Sequence, residues 1–156
     1  MNVSDATSAL LRPPLEQVEL ALAGVESSAS FRSSARHREL LRYLVANTLT
    51  DKPGVLKESV IAVEVFGRSP SRFNPQADSI VRVEARRLRA RLVSYYAAEG
   101  RSSPIRIELP VGSYVPLIAS HTEHRQTEAA TRRARDLVER GEFFLRQALS
   151  PQSLEQ

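Results

Sequence analysis

Cysteine is absent from the 156 residues, so neither a disulfide framework nor a thiolate metal site can be built. The longest apolar runs cover only a few residues, far short of the roughly 20 that a membrane-spanning helix needs. Met1-Asn2-Val3-Ser4-Asp5 has neither the basic start nor the apolar stretch of a secretory signal. A glycine-rich phosphate loop is also missing, because Pro53-Gly54-Val55-Leu56-Lys57-Glu58 lacks the required glycines and the Ser/Thr after Lys. Lysine is scarce: of 22 basic residues two are Lys and the rest are Arg. These gaps lead to the expectation of a soluble, cytoplasmic chain with no membrane span, no metal and no cofactor.

What is present has the composition of an ordinary globular protein, with 42% apolar and 26% charged residues, enough for one domain with an appendage. The formal net charge of +4 is unevenly spread. Residues 1–31 hold one Arg against four acids, and residues 120–156 hold six basic residues against six acids. Residues 32–119 hold fifteen Lys/Arg against eight acids, so the whole excess, +7, sits in the middle. Arg-rich usage alone fits a high-GC genome equally well, so position in the fold has to decide what the Arg residues do.

Residues 1–13 read as a flexible leader ending at Pro13-Pro14. From there Leu15, Val18, Leu22 and Val25 recur at helical spacing up to Gly24–Ser28. A second helix is expected after Phe31, with Ser33 or Ser34 as N-cap and a stripe of Leu40, Leu41, Leu44, Val45 and Leu49. Asp51-Lys52-Pro53-Gly54 ends it. Leu56–Phe66 is crowded with β-branched residues, but a Lys57-Glu58 start and Gly67 stop favour helix over strand. Residues 67–77 read as a loop. Asp78 or Ser79 then caps a long helix running to about Ala98, stopped by Gly100.

Pro104–Pro110 alternates Ile105, Ile107 and Leu109 with Arg106 and Glu108, as a half-buried strand does. Val111-Gly112-Ser113 supplies a tight turn and Tyr114–Ile118 a return strand. Residues 119–127 form a polar linker, and a last helix runs from about Glu128 to Leu149. The fold class is therefore mainly α with a small β-hairpin. A helical set whose last helix is basic and leads into a hairpin has the order of a winged helix-turn-helix over residues 14–118.

The helix over 79–98 sorts cleanly. Val81, Ala85, Leu88, Leu92 and Tyr95 form one apolar stripe, and Arg82, Arg86 and Arg89 share the neighbouring face. Glu84, Arg87 and Arg91 take the other flank, where Glu84 can pair with Arg87. Such an Arg row suits phosphate oxygens and guanine edges in the major groove. The candidate DNA-contacting set is Ser79, Arg82, Arg86, Arg87, Arg89, Arg36, Arg106 and Ser113. Arg82 and Arg86 are candidates for base edges and Arg89 for phosphate, while Ser79 could donate to phosphate at the helix start. Arg32, Arg38, Arg42 and Arg101 fit the same footprint. A solvated charged face is the competing reading.

No catalytic or metal constellation stands out, so an enzyme is not expected. His121 and His124 sit in the linker and His37 in a basic stretch, with no Cys or carboxylate cluster beside them. Gly112-Ser113-Tyr114 reads as a turn, not a nucleophile elbow. Tyr43, Tyr95, Tyr96 and Tyr114 read as core or hairpin-anchoring aromatics.

Three segments carry a resemblance: Leu56–Arg68 (LKESVIAVEVFGR), Phe73–Arg89 (FNPQADSIVRVEARRLR) and Ile107–Pro116 (IELPVGSYVP), with Tyr95-Tyr96 and Gly100 between the last two. Together they resemble a bacterial family of N-terminal winged-helix domains that precede tetratricopeptide arrays or cyclase-type signalling domains. The resemblance spans roughly residues 15–118 and implies a winged-helix fold that binds double-stranded DNA as a transcriptional regulator. The tail, residues 128–156, is similar to the start of a tetratricopeptide repeat at Ala134, Leu137, Gly141 and Phe144. Its 29 positions fall short of the 34 or so of one repeat, so the chain is expected to be a piece of a longer regulator. Alternatively, the helix packs a homodimer through Leu137, Phe144 and Leu145. The alternative function is a winged-helix protein-interaction or dimerisation module without DNA binding. No small-molecule ligand is evident.

Overall fold

The computed structural model describes residues 13–120 and 131–138. Helices α1 (Leu15–Ser27), α2 (Ala29–Arg32), α3 (Ala35–Leu49), α4 (Glu58–Glu64) and α5 (Ile80–Ala97) precede strands β1 (Ile105–Glu108) and β2 (Leu117–Ser120). A 3-10 turn, Pro53–Val55, links α3 to α4. The chain divides into two compact units, 1–121 and 122–156. In the second, residues 131–138 are helical and exposed. The rest of the expected C-terminal helix, His121, His124, Gly141, Phe144 and Leu145 lie outside the described residues, as does the leader up to residue 12.

The core of the first unit follows the helical stripes. Val81, Ala85, Leu88, Leu92 and Tyr95 of α5 are all buried, against Leu40, Leu41, Leu44 and Val45 of α3 and Val18 and Val25 of α1. Burial of this apolar set is the main driving force for the fold. Two expectations fail at the edges of the stripes. Leu15 is exposed, its place in the α1 seam taken by Ala21. The Leu56–Phe66 helix contracts to α4, with Ile61 and Ala62 facing the core. The Ser-Ser-Ala-Ser segment, expected only to end α1, does so at Ser27, but its Ala29 and Ser30 already begin the short α2, which buries Phe31 completely.

The hairpin is mainly as expected but is shifted. β1 and β2 pair antiparallel, with Ile105 opposite Ser120 and Glu108 opposite Leu117. The return strand thus starts at Leu117 rather than Tyr114 and takes in Ala119 and Ser120, expected to belong to the linker. Pro116 explains the shift, because it has no N–H to donate to a ladder. The tight turn at 111–113 becomes a connection over 109–116, with Gly112 in the left-handed region at φ +81°.

α5 ends where a glycine is required for a different reason than a left-handed cap. A Cβ on Gly100 would lie 2.2 Å from Tyr95 Cε1, so only glycine lets the chain pass under the ring. At the other end, Asp78 Oδ1 accepts the Ile80 N–H at 3.0 Å, while Ser79, the N-cap residue, makes no side-chain capping bond.

Candidate nucleic-acid interface

The Arg residues of α5 divide according to what their guanidinium groups touch. Arg89 donates from Nε to the carbonyls of Leu109 (3.0 Å) and Pro110 (3.1 Å), and from Nη2 to that of Ser113 (3.0 Å). It therefore holds the hairpin connection against the helix. Arg91 donates to the Ser30 carbonyl and ties α5 to α2. Arg87 pairs with Glu84 at 2.9 Å, the expected i,i+3 contact.

Arg82 and Arg86 differ from these three. Arg82 donates from Nη1 to Glu58 Oε1 at 2.7 Å and from Nη2 to the Pro75 carbonyl at 2.6 Å, and its side chain stays about half exposed. Arg86 is exposed and makes no hydrogen bond or ion pair with any described residue. Both face a trench of about 630 Å³ between the start of α5 and the hairpin connection, walled also by Glu58, Arg89, Val111, Gly112 and Tyr114. The Tyr114 phenol is raised above its ordinary pKa chiefly by burial, then by Glu58, while Arg82 and Arg89 pull it down.

The hairpin is fastened to α5 at two further points. The Ile107 N–H donates to the Tyr96 hydroxyl at 2.8 Å, and burial pushes that phenol up to about 12, so it stays neutral. The Arg106 guanidinium lies 5.0 Å above the Tyr96 ring and pairs with Glu108 at 2.8 Å. With Arg89, these contacts give the connection a fixed position beside the trench.

The remaining candidates are scattered. Ser113 is half-buried; its hydroxyl accepts the Val115 N–H and its carbonyl accepts from Arg89. Ser79 is exposed next to the trench residues in sequence. Arg36 and Arg32, at the start of α3 and the end of α2, are exposed and unpaired among the described residues. Arg38 instead donates to the Phe31 and Arg32 carbonyls, Arg42 pairs with Glu26, and Arg101 caps the Ala97 carbonyl. Those three stabilise their own surroundings.

Two features were not anticipated from sequence. Glu58 enters the Arg row through space, from α4. Glu84, assigned to the outer flank of α5, is buried at 3% exposure beside His37 at 5%. His37 Nε2 lies 2.9 Å from Glu84 Oε2, without the alignment of a hydrogen bond, and its Nδ1 is 2.5 Å from Ser34 Oγ. Burial, aided by Arg91 and Arg87, outweighs Glu84 and lowers the His37 pKa below 6.5. The signal was present: Val81, Glu84 and Leu88 follow the three- and four-residue spacing of a buried stripe.

Among the described residues no group of three His, Cys, Asp or Glu is placed to hold a metal ion, and no helix is long and apolar enough to cross a membrane. Comparison with family models, with curated proteins and with solved structures returned no match.

Proposed function

We propose that residues 14–120 form a winged helix-turn-helix that binds double-stranded DNA in the cytoplasm as a bacterial transcriptional regulator. In this reading α4 and α5 are the helix pair, α5 is the recognition helix and the β1–β2 hairpin is the wing. The supporting observation is the trench beside the first turns of α5, where Arg86 has no partner among the described residues and the fastened hairpin connection forms the far wall. A helix flanked in this way can present its first turns to the roughly 12 Å major groove while the hairpin meets the adjoining backbone. The +7 balance of residues 32–119 supplies the long-range attraction. One feature departs from a compact helix-turn-helix: α4 and α5 are joined by residues 65–79, far more than the three or four of the tight motif.

The test is fluorescence anisotropy with a mixed-sequence 30-base-pair duplex across a salt series. Micromolar or tighter binding that weakens with a slope of about −0.9 per neutralised phosphate supports the reading. Absence of binding at low salt ends it.

One observation favours the second reading, a protein-interaction module. Val93, Val111 and Leu117 are exposed around an apolar groove of about 320 Å³ on the other side of Arg89. Under that reading the chain does not bind the duplex, and substitution of Val93 and Leu117 by polar residues abolishes partner capture.

A further inference from the structure

Of the four charged residues lining the trench, three are Arg and one is acidic. Glu58, the first residue of α4, places a carboxylate on its wall and holds the Nη1 of Arg82, while the Pro75 carbonyl holds the Nη2. An Arg has five N–H donors, so this clamp leaves Arg82 able to contact a ligand from one fixed direction. It also keeps a negative charge where a polyanion would enter. The two effects oppose one another for a phosphate backbone, which needs only positive charge. They cooperate for a base edge, which needs a positioned fork.

Resting on the DNA-binding reading above, we infer that Glu58 is a specificity residue of the trench: it orients Arg82 and repels phosphate, lowering affinity for non-cognate duplex more than for a matched site. Arg86, which has no partner among the described residues, is the unclamped cation of the pair. The exposed character of the Arg82–Glu58 pair, with side chains 46% and 21% accessible, keeps the effect modest.

The experiment compares the whole chain with its Glu58→Gln, Arg82→Ala and double variants, using the mixed-sequence 30-base-pair duplex as probe. Thermal unfolding is recorded to show that all four are folded. Glu58→Gln should bind the mixed duplex roughly two- to fivefold more tightly, the range an exposed pair spans, with a salt slope steeper by up to one phosphate, about 0.9. The double variant should bind more tightly than Arg82→Ala, because it no longer leaves an unpaired carboxylate in the trench. Selection from a randomised duplex pool should enrich a narrower set of sequences with the parent chain than with Glu58→Gln. Equal or weaker binding by Glu58→Gln, with the double variant matching Arg82→Ala, overturns the inference and leaves DNA binding standing. Failure of all four proteins to bind at low salt removes the DNA-binding reading itself, and the inference with it.

Discussion

Arg82 and Arg86 stand beside an open trench on the first two turns of α5, whereas Arg89 and Arg91, further along the helix, are committed to backbone carbonyls of the hairpin connection and of α2. All four are the same residue type on one helix. The rear pair binds backbone carbonyls of neighbouring segments, Arg89 through its planar fork and Arg91 through one bond, a structural task. The front pair keeps donors facing solvent: among the described residues Arg86 has no partner, and Arg82 has one carboxylate and one carbonyl. Charge pattern alone groups Arg82, Arg86 and Arg89 as one DNA-facing row and leaves Arg91 on the other flank. Partner identity divides them differently, and the boundary falls between Arg86 and Arg89.

The largest perturbation attacks what both halves share. Leu88 is fully buried between them, and Leu88→Ala should cost about 2–5 kcal/mol of unfolding free energy in a denaturant titration. A loss below about 1 kcal/mol would mean that α5 is not seated in the core as described. Next comes Arg89→Ala, which strips the donor from the Leu109, Pro110 and Ser113 carbonyls. A destabilisation of about 1.5–3 kcal/mol is expected, and Arg89→Lys should recover only part of it, since one ammonium cannot reproduce the fork. Arg86→Ala is the matched contrast. Its unfolding free energy should stay within about 0.5 kcal/mol of the parent, while duplex binding falls by about 1–3 kcal/mol if Arg86 meets base edges. A loss that is the same for every sequence makes it a phosphate contact instead. If Arg86→Ala destabilises the protein and Arg89→Ala does not, the division of labour along α5 is wrong.

The helices and their buried faces were readable because burial imposes a period, and Val81, Ala85, Leu88, Leu92 and Tyr95 keep it without interruption. The hairpin was readable as alternation in Ile105, Ile107 and Leu109, but its return register was not. That register depends on a missing N–H at Pro116 more than on hydropathy. The trench was half legible. Arg82, Arg86 and Arg89 share a face by arithmetic, yet nothing local says that Arg89 turns onto carbonyls 20 to 24 residues away or that Glu58 reaches Arg82 across 24 positions. Such contacts are set by how α4 and the hairpin dock on α5. Glu84 was misassigned because a carboxylate on a helix flank is normally solvated. Here His37 and Arg87 on either side make its burial tolerable.

The gentlest perturbation, pH, reads the same boundary from the core side. His37 of α3 packs against Glu84 of α5, with Arg91 and Arg87 also acting on it, and burial holds its folded pKa below the 6.5 of an unfolded chain. Around and below pH 6.5 the unfolded chain therefore binds more protons than the folded one. The sign follows from linkage: the associated stability is complete above about pH 6.5 and is lost as pH falls through the lower folded value. Unfolding free energy measured between pH 7.5 and 5.5, above the range where carboxylates titrate, should decline on acidification. The decline should flatten in His37→Gln. A parent chain whose stability rises on acidification would show instead that the Glu84 carboxylate outweighs burial and the two Arg residues, making His37 a cation that clamps α3 to α5. In that case the rear of α5 would be held by charge pairing as well as by carbonyl contacts, and the contrast with the front would narrow.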